Sequence, residues 1–391
     1  MGQNTTDLQE QILRLSQIGI ALSSERNTPI LLAKILRGAR EFTRAEGGTL
    51  YERKDDHLLF AVTQNDALSA RMGHGQTGRY LVNQKIPLSP GSMAGYVAST
   101  GEVLNIPDVY DLQADSRFTF NKNYDKMNDY RTRSMLLVPM RDAEGDILGV
   151  LQLINAKDEK GEVHPFDPSI QNLVLSLASQ AAVALRNARL TEALKEAYYD
   201  TIFRLSVAAE FRDEDTATHI QRMSNYSALI ARAMGWNAEQ TEQMLYASPM
   251  HDIGKIGIRD AILLKPGKLT PEEFDEMKRH TVYGAQILSK SKEPLLQMSE
   301  RIAISHHEKY DGSGYPNLVK GEDIPIEGRM VALADVFDAL TTKRCYKEPW
   351  PVEKAMALIR EGSGKHFDPK VVEAFEKILE DALKVRAKFQ A

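Results

Sequence analysis

The chain has 391 residues, of which 42% are hydrophobic and 26% charged, and its net charge is −5. At roughly 150 residues per domain this length calls for two or three packed units, and the acidic balance excludes general attraction to nucleic acid or to an anionic membrane. One cysteine, Cys345, excludes an intrachain disulfide, so nothing points to an oxidising compartment.

The first residues, MGQNTTDLQEQ, are polar and lack the basic-then-apolar layout of a signal peptide. No apolar run approaches the ~20 residues needed to span a bilayer. The expectation is a soluble cytoplasmic protein with no DNA, RNA or membrane partner. From Thr6 to Ser24, Leu8, Ile12, Leu15 and Ile18 recur at helical spacing. A second helix is expected from Pro29 to Phe42, carrying Ile30, Leu31, Ile35 and Leu36. The pattern then turns to short strands at Gly48–Tyr51, Leu58–Val62, Lys85–Pro87, Val103–Ile106, Ser134–Met140 and Ile147–Asn155. Asp55-Asp56 and the stretch from Asp142 to Asp146 read as hairpin turns. Pro90 to Ser99 reads as a short helix entered at Ser89. Together these make an α/β domain of sensor size.

Ser169 to Phe211 contains no Gly or Pro, and Ile170, Leu173, Leu177, Ala184, Leu190 and Leu194 keep near-helical spacing. Such a length suits a connector or a two-stranded coil. A long apolar stripe needs a partner, so a homodimer through the N-terminal and connector helices is expected. From Arg212 onward the chain reads as helical, with loops at Lys265–Thr270 and Asp311–Gly328.

Histidine distribution carries the chemistry. Five of the nine histidines lie between His219 and His307. The sequence presents His219, then His251-Asp252, His280, His306-His307 and Asp335. Imidazole and carboxylate suit Fe, Mn or Zn, and these seven residues exceed the needs of one ion. Two adjacent ions are the arrangement for phosphodiester hydrolysis. In that reading Asp252 bridges while His251 fixes one ion. Lys255, about one helical turn after Asp252, can face the same pocket and clamp a phosphate oxygen or protonate the leaving alkoxide.

The ordered segments HDIGKIGIRDAILLKPGKLTPEEFDEMKRHTVYGAQIL, HHEKYDGSGYP, ADVFDALTTKRCYK and SGKHFDP resemble the HD-GYP phosphodiesterases, over about Arg212 to Phe375. The resemblance implies an all-α catalytic domain that hydrolyses cyclic di-GMP to pGpG or GMP. It implies metal ligation by His219, His251, Asp252, His280, His306, His307 and Asp335, with Lys255 as the lysine of the HDxxK pattern. It places Gly314-Tyr315-Pro316 in a loop beside the substrate, and Asp338, Arg344 and Lys347 around phosphate and guanine. Arg344 suits a bidentate contact to either. Where trinuclear members carry glutamate in an E-T-x-x-H segment, this chain has Asp215, one methylene shorter. Asp215 and His219 can share a helix face. The site is therefore expected to hold two ions, Fe or Mn, with Asp215 the candidate ligand of a third. Cys345 stands where the family usually has proline.

The front half resembles a GAF domain of the type found in cyclic-nucleotide phosphodiesterases, over about residues 28–188. Asn121-Lys122 is similar to the start of that type's NK motif, which makes these two residues candidate contacts for a small-molecule ligand. Phe166-Asp167 is followed by Pro168, so the acidic half of the motif is not evident. The fold class expected is α+β multidomain. An antiparallel-sheet GAF domain with flanking helices is joined by a long helix to an all-α HD-GYP domain. The divisions are 1–27, an N-terminal helix; 28–168, the sensor domain; 169–211, the connector; and 212–391, the catalytic domain. Two rival readings stand beside the enzyme: a slow cyclic di-GMP receptor, and a phosphodiesterase for another cyclic dinucleotide.

Overall fold

The computed structural model describes residues 27–72, 84–89, 91–113, 116–211, 217–343 and 348–389. The helix expected from Thr6 to Ser24 lies outside these residues, as do Asp215, Arg344, Cys345 and Lys347. The chain divides into two compact units, Met1–Ala193 and Leu194–Ala391.

In the first unit, α1 (Thr28–Thr43) starts at Asn27, whose side chain accepts a hydrogen bond from the Ile30 N–H. This satisfies one of the N–H groups that a helix leaves without an internal partner. The strands β1 (Ala45–Lys54), β2 (His57–Asn65), β3 (Lys85–Pro87), β4 (Leu104–Ile106), β5 (Met135–Arg141), β6 (Ile147–Lys157) and β7 (Val163–His164) follow, with the helices α2 (Asp66–Met72), α3 (Met93–Thr100) and α4 (Asn123–Asn128) between them. Among the described residues they form one antiparallel sheet in the order β3-β2-β1-β6-β5-β4, with β7 against β6.

Period-two alternation sorts the strand side chains between two cores. Leu50, Leu136, Val138, Leu151 and Leu153 face one core, where they meet Leu31, Leu32, Ile35 and Leu36 of α1. Their neighbours Tyr51, Leu137, Val150 and Ile154 face the other, against Met93, Tyr96 and Val97 of α3. Gly48 lets α1 approach closely, because a Cβ there would lie 2.8 Å from Leu36 Cδ1. Cutting Leu36 back to alanine removes a fully buried side chain, a change that costs about 2–5 kcal/mol.

The helix expected at Pro90 begins instead at Met93. Ser92, not Ser89, caps it, accepting from the Gly95 N–H at 3.0 Å. Ser89 is held in a turn through its N–H to the Pro87 carbonyl. β1 is longer than expected because its glycine-rich and charged ends pair with β2 and β6.

The long helix α5 spans Gln171–Glu210. Its early residues Val174, Leu177, Ala178, Ala181 and Leu185 belong to the core of the first unit. Its late residues Ile202 and Ala209 belong to the core of the second. The second unit is otherwise built of α6 (Ala217–Ala233), α7 (Ala238–Ala247), a 3-10 stretch (Ser248–Gly257), α8 (Asp260–Leu263), α9 (Pro271–Lys278), α10 (His280–Leu288), α11 (Pro294–Ser305), α12 (Ile326–Thr341), α13 (Val352–Glu361), α14 (Pro369–Lys377) and α15 (Leu379–Lys388). Capping boxes at Asn237/Gln240 and Thr270/Glu273 fix the starts of α7 and α9. No described helix is long and apolar enough to cross a membrane.

Candidate metal centre

Histidines and aspartates from five segments converge in the second unit. His219 comes from α6, His251 and Asp252 from the 3-10 stretch, His280 from the start of α10, His306 and His307 from the end of α11, and Asp335 from α12. Gly254 makes one of these approaches possible. A Cβ at that position would lie 1.9 Å from the His280 carbonyl oxygen and 2.3 Å from the Gly284 nitrogen. The bare backbone therefore lets the His251-Asp252 segment press against α10.

Asp252 is the hub. Its Oδ1 lies 3.1 Å from His280 Nε2 and 3.5 Å from His306 Nε2, and its Oδ2 lies 3.3 Å from His251 Nε2. Three overlapping groups bring their ligand atoms within 4.8 Å of one another: Asp252, His280, His306 and His307; His219, His251 and Asp335; and Glu210, His251 and Asp252. Asp252 and His251 each belong to two of them.

The outer contacts of the rings show what the inner nitrogens are for. Nδ1 of His251 faces the Ser248 carbonyl at 3.0 Å, Nδ1 of His280 the Met277 carbonyl at 2.7 Å, and Nδ1 of His306 the Ala303 carbonyl at 3.1 Å. A carbonyl only accepts, so each Nδ1 carries the proton and each Nε2 is left with a lone pair. Those three Nε2 atoms and Asp252 Oδ1 are buried without a hydrogen-bond partner. Lone pairs aimed inward and anchored from behind are the pattern of metal-ligating histidine. Buried polar atoms left this way are costly unless something coordinates them. The donor set of imidazole and carboxylate therefore fits divalent ions.

His219 is held from both sides by one helix. Its Nδ1 lies 2.8 Å from Asp338 Oδ2 and its Nε2 3.6 Å from Asp335 Oδ1. The two aspartates stand three residues apart on α12, so they share a face. Arg222, one turn after His219 on α6, donates to both oxygens of Asp338 at 2.7 and 2.9 Å. Asp338 was expected to line the substrate pocket. It is only 1% exposed, and both its oxygens are engaged by His219 and Arg222. Asp338 thus stands behind His219 and holds its ring.

Charge follows burial and neighbours. Burial opposes the charge on Asp252, but Lys255, His251 and His280 outweigh it and hold its carboxyl well below the usual range. Burial lowers His306, and burial with the nearby His306 and His280 lowers His307, so both favour the neutral, ligating form. Lys255 Nζ lies 2.8 Å from Asp252 Oδ2 and 3.6 Å from Glu210 Oε1.

The Gly314-Tyr315-Pro316 loop lies against these histidines. The Tyr315 ring sits 4.8 Å from that of His307, and its N–H donates to the His307 carbonyl. Glu308 shapes the loop by accepting from the N–H groups of Asn317 and Val319. Gly314 passes so near the chain that a Cβ would lie 2.2 Å from the Lys309 nitrogen. The Tyr315-Pro316 peptide is cis, and Gly312 adopts a positive φ of 84°, which glycine takes without strain.

Two contributors were not foreseen. Arg222 carried a signal, the spacing His219-x-x-Arg222 on one helix. Glu210 sits in the acidic run EFRDED, where spacing alone does not say which carboxylate turns inward.

In the first unit, a cavity of about 410 Å³ lies between the sheet and α3, lined by Tyr51, Phe60, Asn65, Met93 and Gln152 among others. Asn121 lines it, whereas the Lys122 ammonium lies over the Tyr110 ring at 4.8 Å.

Residues 205–371 match the HD domain family, and residues 28–185 match the GAF domain family. The chain is 49% identical over 185 residues to a cyclic di-GMP phosphodiesterase of Thermotoga maritima, covering 46% of this chain and 50% of that protein. It is 42% identical over 206 residues to the cyclic di-GMP phosphodiesterase response regulator RpfG of Xanthomonas campestris, covering 53% of each. It is also 42% identical over 205 residues to 3'3'-cGAMP-specific phosphodiesterase 2 of Vibrio cholerae, covering 52% of this chain and 39% of that protein. The chain thus spans about half or less of the length of these curated relatives. A GAF domain structure from Coxiella burnetii is similar over 47% of this chain and 96% of its own, at 18% identity and a TM-score of 0.37. The two family matches give the chain a GAF domain over residues 28–185 followed by an HD domain over residues 205–371.

Proposed function

We propose that this protein is a metal-dependent phosphodiesterase that hydrolyses cyclic di-GMP to pGpG or GMP, under control of its GAF domain. The observation that carries the reading is the set of inward Nε2 atoms of His251, His280 and His306 around Asp252, each ring anchored through its other nitrogen. His219, His251, Asp252, His280, His306, His307 and Asp335 would hold two ions, Fe or Mn. Divalent ions bound there supply a nucleophile at neutral pH and neutralise phosphate charge.

The chain's own groups do the rest. Lys255 stands at Asp252 and is placed to meet a non-bridging phosphate oxygen or to give a proton to the departing ribose oxygen as the P–O bond breaks. Tyr315 offers a ring face and a hydroxyl beside His307 for the base or sugar. Gly314 and Pro316 shape its loop, and Arg344 and Lys347 complete the substrate contacts. Asp215 is the candidate ligand of a third ion. The relatives named as cyclic di-GMP phosphodiesterases favour this substrate.

The relative named as specific for 3'3'-cGAMP favours a second reading, a phosphodiesterase for that mixed dinucleotide. Product analysis with each dinucleotide separates the two. Faster turnover of cyclic di-GMP supports the first reading, and turnover of cGAMP alone replaces it with the second.

The segment 169–211 is the connector in this reading, between a sensor at 28–168 and the catalytic domain at 212–391. Val183, Leu190 and Leu194 on α5 are exposed, which supports pairing of two copies along it. Light scattering of a Leu190→Glu, Leu194→Glu variant tests this, since a dimer held there becomes a monomer. The cavity lined by Asn121 is where a sensor ligand would sit. Calorimetry with cyclic GMP and cyclic AMP tests the nucleotide class, and silence for both removes it.

A further inference from the structure

We propose that Glu210, the last residue of α5, is a positioning residue that holds the Lys255 ammonium at the metal centre. The inference rests on the reading above that Lys255 meets the substrate's phosphate or its leaving oxygen.

Glu210 is 1% exposed, and neither of its side-chain oxygens has a hydrogen-bond partner among the described residues. A carboxylate in that setting needs a cation beside it. The Lys255 ammonium is 3.6 Å from Glu210 Oε1, too far for a hydrogen bond but within ion-pair reach, and 2.8 Å from Asp252 Oδ2. The ammonium therefore lies between two buried carboxylates. Glu210 adds a second attraction at 3.6 Å, which keeps the ammonium within the site, while Asp252 Oδ1 carries no hydrogen bond and stays open to an ion.

The anchor's position in the chain matters. Glu210 ends the same unbroken helix whose first turns carry Val174, Leu177 and Ala181 of the GAF core. The last residue of that helix thereby belongs to the apparatus that positions Lys255.

Glu210 also has an oxygen within 4.8 Å of ligand atoms of His251 and Asp252, so ligation of an ion is the competing role. The full chain discriminates the two through Glu210→Gln, Glu210→Asp, Lys255→Ala and the Glu210→Gln, Lys255→Ala double variant. Three quantities are read: acylation of Lys255 by an amine-reactive ester in the metal-free protein, Mn per chain after loading, and kcat and KM on cyclic di-GMP and on bis(p-nitrophenyl) phosphate. In Glu210→Gln, Lys255 acylation rises several-fold, Mn per chain is unchanged, and kcat falls on the order of 100-fold with little change in KM. Glu210→Asp, which keeps the charge on a shorter stem, moves acylation in the same direction by less. Adding Glu210→Gln to Lys255→Ala costs no further activity, because the first acts through the second.

Unchanged Lys255 acylation in Glu210→Gln and Glu210→Asp overturns the proposal, and so does an additive loss in the double variant. Loss of bound Mn in Glu210→Gln overturns it in favour of ligation. If the wild-type chain hydrolyses neither diester, the functional reading fails, while acylation and metal content still decide the role of Glu210.

Discussion

Gly254→Ala should disable the site without touching any ligand. The added Cβ would lie 1.9 Å from the His280 carbonyl oxygen and 2.3 Å from the Gly284 nitrogen, whereas real Cβ contacts stay beyond 3.0 Å. Both obstacles are backbone atoms, so neither can rotate away. The His251-Asp252 segment and α10 must part by about 1 Å, the gap between 1.9 and 3.0 Å. Metal–ligand bonds tolerate only about ±0.2 Å, and a 1 Å misplacement in a catalytic site costs about 100-fold in rate. Overpacking also destabilises by about 1–3 kcal/mol. The expected outcome is a folded protein with reduced Mn content after desalting and a rate down about 100-fold or more. Gly91→Ala serves as control, since its nearest neighbour would be the Ser89 Oγ at 3.5 Å. Wild-type metal content and rate in Gly254→Ala would refute the argument that this close approach sets the ligand geometry.

Asp338→Asn should weaken metal binding about 10–100-fold by loosening His219, and should lower the unfolding temperature because Arg222 loses its buried counter-charge; a Mn titration and a thermal melt check both. Mn(II) at 100 times its dissociation constant should stabilise the wild-type HD domain by about 2.7 kcal/mol, a rise of roughly 5–10 °C for a domain of this size; the His251→Ala, Asp252→Ala variant should show none. In the GAF domain, burial opposes the charge on Glu46, but Lys157, Tyr130 and Asn155 outweigh it and hold its carboxyl below its ordinary value of 4.5. A lowered folded pKa means stabilisation that is present above 4.5 and lost as pH falls through the folded value. Melts across acid pH should show that loss for the wild-type GAF domain, and Glu46→Gln should flatten it.

The grouping of the candidate ligands could be read without coordinates because they belong to residue types that rarely cluster by chance, and their ligand atoms do come together in overlapping groups. His219, His251, His280 and His306 lie far apart in sequence, yet their chemistry named them as one group. What could not be read was which partner stands behind each ring. Asp338 and Asp335 are the same residue type on one helix, and only packing shows that Asp338 meets the outer nitrogen of His219 and the Arg222 fork. Glu210 is hidden among acidic neighbours, and its inward turn depends on where α5 ends. The strands β5 and β6 were legible as nearly continuous apolar runs, because both of their faces are buried. The ends of β1 were not, since the expected strand stops at Gly48 and Tyr51, whereas Gly47 also pairs with β2 and β6 and Glu52 to Lys54 continue the pairing with β2. The start of α3 was misplaced because Ser89 and Ser92 are equal as capping residues, and only the turn through Pro87 decides between them.

The most direct test of the account is hydrolysis of cyclic di-GMP by anaerobically purified protein loaded with Fe(II) or Mn(II), beside the His251→Ala, Asp252→Ala variant. The account predicts metal-dependent turnover that the variant lacks. Tight binding of cyclic di-GMP without turnover under either metal would contradict it and would make the protein a receptor.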